Sequence, residues 1–186
     1  MKLNIVALVG SLRKESFNMK LANVMKTRYE DKWKLTIANL GKLPFFNQDE
    51  EADPPPIVKE FKQQIKEADG VVIITPEYNW SVPGVLKNAL DWASRVDKVM
   101  IGKPVMIAGT TIGMAGTLRA QLHLRQILSA PGIQANVLPP GGNEVLIPFA
   151  GEKFAKTGEL LDEETLAFLD QIVSRFNDWI ASVQTS

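Results

Sequence analysis

The chain has 186 residues, 45% of them hydrophobic, which suits one compact domain over residues 1–186 and leaves little room for a second. Its 21 Lys and Arg balance 21 Asp and Glu, so there is no overall basic field for nucleic acid or an anionic membrane, and only a local basic patch would serve either partner. With no cysteine and a single histidine, His123, disulfides, thiol chemistry, sulfur-ligated clusters and the usual zinc and haem ligand sets are excluded.

The first apolar run, at residues 3–9, opens the chain. Two more follow at residues 71–75 and 104–108. All three are short and bounded by Gly, Pro or polar residues, as expected of parallel strands buried on both faces. A weaker alternating run at residues 34–40 reads as an edge strand, and residues 134–138 as a fifth. Between them lie segments of helical spacing. Val82, Val85, Leu86, Ala89, Leu90 and Ala93 recur at three and four, as do Leu166, Leu169, Val173, Phe176, Ile180 and Val183 in the last segment. Asp162, Glu163 and Glu164 sit where a helix N-terminus favours negative charge. The acidic, proline-rich residues 49–56 read as a solvated loop. Alternation of strand and helix predicts an α/β domain of three layers around one parallel sheet of five strands. In such sheets ligands bind beyond the carboxyl ends of the strands, near the switch point in strand order. No apolar run approaches the roughly 18 residues of a membrane span, and the N-terminus lacks a signal-peptide layout, so a soluble cytoplasmic protein is expected.

The stretch Gly10-Ser11-Leu12-Arg13-Lys14-Glu15-Ser16-Phe17-Asn18 leaves the first strand and leads into a helical pattern. A Gly/Ser turn from strand to helix aims free backbone N–H groups and the positive end of a helix dipole at one point. Ser11, Ser16, Arg13 and Asn18 add donors, and charge-assisted hydrogen bonds of roughly 1.5 to 3 kcal/mol each suffice to anchor a phosphomonoester without a metal. An ordinary strand-to-helix loop with Ser capping is the alternative.

After the third strand comes Thr75-Pro76-Glu77-Tyr78-Asn79-Trp80-Ser81-Val82-Pro83-Gly84. Prolines stiffen this loop, and its backbone groups and aromatic faces suit a flat heterocycle. The other reading is that Tyr78 and Trp80 cover the sheet edge. The fourth strand is followed by Gly109-Thr110-Thr111-Ile112-Gly113-Met114-Ala115-Gly116-Thr117, whose glycines admit close backbone approach. A phosphate at one end and a planar ring at the other describe FMN. A ligand of about 31 heavy atoms at roughly 0.3 kcal/mol per atom binds with about 9 kcal/mol, a submicromolar affinity.

The first motif, the run Pro76-Glu77-Tyr78-Asn79 with Ser81, Pro83, Gly84, Leu86, Lys87, Asn88, Ala89, Asp91 and Trp92, and Arg119-Ala120-Gln121 resemble the NAD(P)H-dependent FMN reductases, flavodoxin-like enzymes that include quinone, chromate and azo-dye reductases. The resemblance covers almost the whole chain. It implies that Ser11, Arg13, Ser16, Phe17 and Asn18 hold the FMN phosphate, and that Pro76, Glu77, Tyr78 and Asn79 border the isoalloxazine ring. Members often carry Ser-Pro-Gly and Gly-Gly in the third loop, where this chain has Thr111-Ile112-Gly113 and Gly116-Thr117. Thr111 keeps a hydroxyl, so Thr111 and Gly113 are expected at the ring. The resemblance further implies NADPH or NADH as co-substrate, small-molecule electron acceptors such as quinones, azo compounds or chromate, no metal, no catalytic side chain, and a homodimer or homotetramer. Arg95, Arg119, Arg125 and Glu144 are candidates for subunit contacts. His123, flanked by Leu122 and Leu124, reads as a surface or interface residue.

Two rivals stand beside this reading. A flavodoxin-type electron carrier shares the fold but has a Thr/Ser-rich phosphate loop and a strongly acidic surface. A regulatory nucleotide-binding module has no turnover. A Rossmann dehydrogenase is disfavoured, because no Gly-x-Gly-x-x-Gly follows the first strand.

Overall fold

The computed structural model describes residues 1–184. In chain order the elements are β1 (Leu3–Val9), α1 (Phe17–Arg28), β2 (Trp33–Ile37), α2 (Pro56–Glu67), β3 (Gly70–Ile74), α3 (Gly84–Ala93), β4 (Pro104–Thr110), α4 (Leu118–Leu128), β5 (Asn136–Val137), β6 (Val145–Ile147), the single turn α5 (Ala150–Lys153) and α6 (Glu163–Gln184). Every strand pair is parallel, in the order β2-β1-β3-β4-β5, with β6 also on β4. That order places the switch point between β1 and β3.

Side-chain alternation along the central strands divides the core into two layers. Ile5, Ala7, Val9, Val72, Ile74, Met106 and Ala108 face α1 and α6, meeting Leu21, Met25, Leu169, Val173 and Phe176. Val6, Leu8, Val71, Ile73, Val105 and Ile107 face the other way, onto Phe61 and Ile65 of α2, Leu86 and Leu90 of α3, and Leu124 and Leu128 of α4. Burial on both faces explains why these strands carry continuous apolar runs instead of alternating ones.

β3 and β4 lie within two residues of the sequence reading, and three further differences have a local cause. The edge strand ends at Ile37, and Leu40 belongs to a 3₁₀ turn, Leu40–Lys42. Helix α3 starts at Gly84, because Val82 precedes Pro83, whose extended backbone (ψ 147°) forms the cap. The fifth strand position is split. Gln134 has φ 41° and cannot continue a strand, while Pro139 and Pro140 lack the N–H needed by a ladder. Pairing therefore stops after Val105↔Val137 and resumes with the three-residue β6 at Ala108↔Val145.

Along the outer seam of α1 and α6 the polar groups are paired. Arg28 binds Asp170 through two bonds of 2.7 and 2.8 Å, and the Tyr29 hydroxyl donates to the same carboxylate at 2.9 Å. The Arg28 hydrogen bond holds the Asp170 carboxyl below its ordinary range, whereas burial raises the Tyr29 phenol. Trp33 Nε1 donates to Asn177 at 2.8 Å.

Candidate active site

The carboxyl ends of β1, β3 and β4 are aligned by register, with Val9 opposite Ile74 and Ile74 opposite Ala108. Their loops consequently leave the sheet side by side, pinned at the exit by Gly10 N–H to the Ile74 carbonyl and Thr75 N–H to the Ala108 carbonyl, both 2.9 Å.

In the first loop Ser16 is the N-cap of α1. Its extended backbone (ψ 121°) starts the helix, and its Oγ accepts the Met19 N–H at 3.2 Å. The N–H groups of Phe17 and Asn18 precede any intrahelical acceptor and have no partner among the described residues. Ser11 is buried and its Oγ accepts the Arg13 N–H at 3.4 Å. The exposed Arg13 side chain turns back to donate to the Glu15 carbonyl and places its guanidinium 5.7 Å from the Phe17 ring centroid; Lys20 Nζ lies 5.4 Å from the same ring. A helix start, two free N–H groups and two cations thus share one corner. Asn18 is engaged differently from its neighbours. Its amide donates to the Thr110 carbonyl and accepts the Thr110 N–H, both at 3.0 Å, tying α1 to the end of β4. Its backbone N–H remains at the open corner. The Thr110 hydroxyl, 2% exposed, has no partner among the described residues.

The second loop contains a two-residue reversal. Tyr78 and Ser81 exchange N–H to carbonyl bonds of 3.1 and 3.0 Å, and Asn79 and Trp80 between them have φ 51° and 63°. Positive φ at both central positions defines a type I′ turn. Pro76 is buried beneath it, whereas Tyr78 is 50% and Trp80 72% exposed, so neither aromatic covers the sheet edge. The loop is clamped to α4. Glu77 Oε2 accepts the Ala120 N–H at 3.1 Å and its other oxygen lies 3.7 Å from Arg119. This carboxylate caps a helix whose own N-cap residue, Thr117, sits at φ 68° and makes no side-chain cap bond. Ser81 Oγ and His123 Nδ1 are 2.8 Å apart, and Arg119 stacks 4.6 Å over Trp80.

The third loop is stitched to the segment after β6. Thr111 N–H donates to the Ile147 carbonyl at 3.0 Å, the Thr111 carbonyl accepts from Ala150 at 2.9 Å, and the Gly113 carbonyl accepts from Phe149 at 3.2 Å. Thr111 Oγ1 receives the Gly113 N–H at 3.3 Å. Gly109 is required by close approach, since a Cβ there would lie 2.0 Å from Thr117 Oγ1 and 2.6 Å from the Thr75 carbonyl. By contrast a Cβ on Gly113 would meet, among the described residues, only Thr111 Oγ1 within 4 Å, so backbone here faces open space.

The nominated residues therefore gather at one edge of the sheet, in three adjoining loops. Sequence reasoning missed the helix-capping role of Glu77, the Thr110 partner of Asn18 and the support given by residues 147–150. The basic residues considered for subunit contacts have partners within the chain: Arg95 binds Glu51 at 2.7 Å, Arg119 meets Glu77, and Arg125, its ionisation weakened by burial, donates to the Leu138 carbonyl at 2.9 Å. The Glu144 carboxyl is held low by the N–H groups of Gly141, of Glu144 itself and of Gly142, Gly141 foremost, and the Asn143 N–H also donates to it at 3.2 Å. A groove of 510 Å³ lies elsewhere, between α1 and residues 157–160. It is lined by the flank of α1, residues 157–160 and Leu166, away from the carboxyl ends of β1, β3 and β4, so the chemistry of the loop edge, not volume, marks the candidate site.

This arrangement fits FMN: paired free N–H groups beside Arg13 for a phosphate, and two loops with exposed backbone and aromatic edges for a flat ring. The family model described as NADPH-dependent FMN reductase matches residues 3–151. A 2-hydroxy-1,4-benzoquinone reductase from Burkholderia sp is 40% identical over 182 residues, covering 97% of each chain. An NADH-dependent flavin reductase subunit 2 from Lactobacillus johnsonii is 41% identical, covering 98% of this chain and all of that one. Among solved structures, the flavoenzyme NAD(P)H:(acceptor) oxidoreductase FerB from Paracoccus denitrificans superposes with a TM-score of 0.86 at 37% identity, over 97% of this chain and 98% of its own. With its 2-1-3-4-5 sheet and loop-edge site, the chain belongs to the NADPH-dependent FMN reductase family.

Proposed function

We propose that this protein uses FMN to oxidise NAD(P)H and reduce quinones, with NAD(P)H, one proton and a quinone giving NAD(P)⁺ and the hydroquinone. FMN when bound supplies the two-electron relay between nicotinamide and acceptor. The chain's part is to seat, orient and tune it. The N–H groups of Phe17 and Asn18, with Ser11, Ser16 and Arg13, would hold the phosphate at the α1 dipole. Pro76, Glu77, Tyr78 and Asn79 on one side and Thr111 and Gly113 on the other would border the ring. Of these, the N–H groups of Glu77 and Asn79 have no partner among the described residues and are the donors available where negative charge develops on a reduced ring.

The observation that carries this reading is the pair of unpartnered N–H groups at the start of α1, beside Arg13 and next to the β1–β3 switch point. Purified protein should be yellow, release FMN on denaturation, and oxidise NADPH or NADH steadily when a naphthoquinone is supplied. Flavin binding without nicotinamide turnover would instead mark an electron carrier. A panel with a quinone, an azo dye and chromate under the same nicotinamide supply ranks the acceptors, and the quinone is expected first.

The reading extends to a single flavodoxin-like domain acting in the cytoplasm as a homodimer or homotetramer. Leu118 and Leu122, one turn apart on α4, are exposed together with Ile112 and Met114, an apolar face suited to a second copy. Light scattering on the eluted holoenzyme measures the assembly. Among the described residues no helix is long and apolar enough to cross a membrane.

A further inference from the structure

The start of α1 carries its charges the wrong way round for a helix. Its first turn has no acidic side chain, although carboxylates favour that end and cations disfavour it; α6, by contrast, opens with Glu163 and Glu164. Helical side chains lean back toward the N-terminus. Lys20 does so far enough for its Nζ to lie 5.4 Å from the Phe17 ring centroid and 3.5 Å from the carboxylate of Glu15, the residue before the Ser16 cap. Arg13 brings a second cation to 5.7 Å from the same centroid. Folding alone gives no reason to gather two cations at the positive pole of a helix.

Lys20 is also poorly partnered. Its side chain is 18% exposed, so the ammonium has given up much of its water. In return it has the Lys156 carbonyl at 3.4 Å and Glu15 at 3.5 Å, both long for a charge-assisted contact. Two other lysines drawn out of solvent do better: Lys62 reaches the Arg95 carbonyl at 2.8 Å, and Lys103 the Ala68 carbonyl at 2.6 Å. Glu15 is mostly exposed and hydrates freely once it lets go of Lys20.

We propose that Lys20 is a further phosphate-binding residue of the flavin site and that Glu15 is its resident counter-anion, displaced when the phosphate of FMN takes its place on the ammonium. Glu15 thereby sets how tightly the flavin is retained. The inference rests on the flavin reading above and adds two residues to its phosphate end.

The test is a fluorescence titration of the full chain, stripped of flavin, with FMN and with riboflavin. Glu15→Gln should lower the Kd of FMN about threefold, because the ammonium no longer leaves a carboxylate and the phosphate meets one negative charge fewer. Lys20→Met should raise it about five- to tenfold, and Lys20→Arg should stay within about twofold of wild type. In the Lys20→Met background the gain from Glu15→Gln should shrink to below about 1.5-fold, since the exchange of partners has been removed. Riboflavin affinity should stay within about twofold throughout, and the differences in FMN affinity should narrow near 1 M salt, where the screening length is about 3 Å.

Unchanged or weaker FMN binding by Glu15→Gln overturns the proposal, as does a gain undiminished in the Lys20→Met background, which would show Glu15 acting without Lys20. Equal losses of FMN and riboflavin affinity in Lys20→Met also overturn it, by making Lys20 a structural support beneath Lys156. A wild-type chain that takes up no FMN defeats the flavin reading itself, a result separate from any behaviour of the variants.

Discussion

The two ends of the site are built by different means. At the end proposed for the phosphate the geometry is local: Arg13, the Ser16 cap and the first turn of α1 follow one another within residues 13–20. At the ring end it is long-range, since Glu77 reaches Ala120, Ser81 reaches His123, and Thr111 rests on Ile147 and Ala150. Asn18 joins them, with its backbone at the phosphate corner and its side chain on Thr110. A site for an elongated ligand thus has one end formed by helix physics and another that exists only after the sheet has assembled.

The strongest way to break this division is to cut its joint. Asn18→Leu removes two hydrogen bonds and leaves the Thr110 N–H and carbonyl buried without partners, which should cost about 2 to 4 kcal/mol. For a chain of this size that lowers Tm by about 5 to 12 °C, and FMN affinity should fall with it. Calorimetry of the apoprotein and a flavin titration check both; a variant as stable as wild type refutes the joint.

Arg13→Ala acts on the phosphate end alone. It should weaken FMN binding about 10- to 100-fold through one lost charge-assisted contact while leaving the apoprotein Tm within about 2 °C. Fluorescence titration reads the first and thermal unfolding the second. Unchanged FMN affinity would remove Arg13 from the site.

Glu77→Ala acts on the ring end alone. Losing a cap should cost about 1 kcal/mol, a fall in Tm of about 2 to 4 °C. Riboflavin affinity, which reports the ring end without the phosphate, should fall too. Glu77→Gln keeps an acceptor for Ala120 and should recover most of the stability.

The smallest expected effect lies away from both ends. Asp170 has a lowered pKa in the folded chain because of Arg28, so its contribution to stability is fully present above its unfolded value of 3.8 and is lost as pH falls through the lower folded value. Being well exposed, the pair contributes modestly. Asp170→Asn should flatten the decline of Tm below about pH 4 and leave FMN affinity at neutral pH unchanged. A steeper decline, or a change in flavin binding, would show that this seam is coupled to the site.

Legibility in the sequence follows the same division. β1, β3 and β4 were readable because burial on both faces gives uninterrupted apolar runs, and the Ser16 cap because its bond spans three residues. The split of the fifth strand was not, since three residues of β6 carry too little periodicity to stand out and Gln134 gives no sign of its positive φ. Asn18 stands two residues after Ser16 and reads as another phosphate donor, while its side-chain partner lies 92 residues away. Glu77 likewise reads as a ring neighbour, and its capping bond to Ala120 appears only when β3 and β4 lie side by side.

On the proposed function the start of α1 receives the phosphate of FMN. Titrating the apoprotein with FMN and with riboflavin, which differ only in that phosphate, tests it most directly. Two or more charge-assisted contacts predict FMN binding at least about 100-fold tighter; equal affinities for the two would leave the start of α1 with no phosphate to hold.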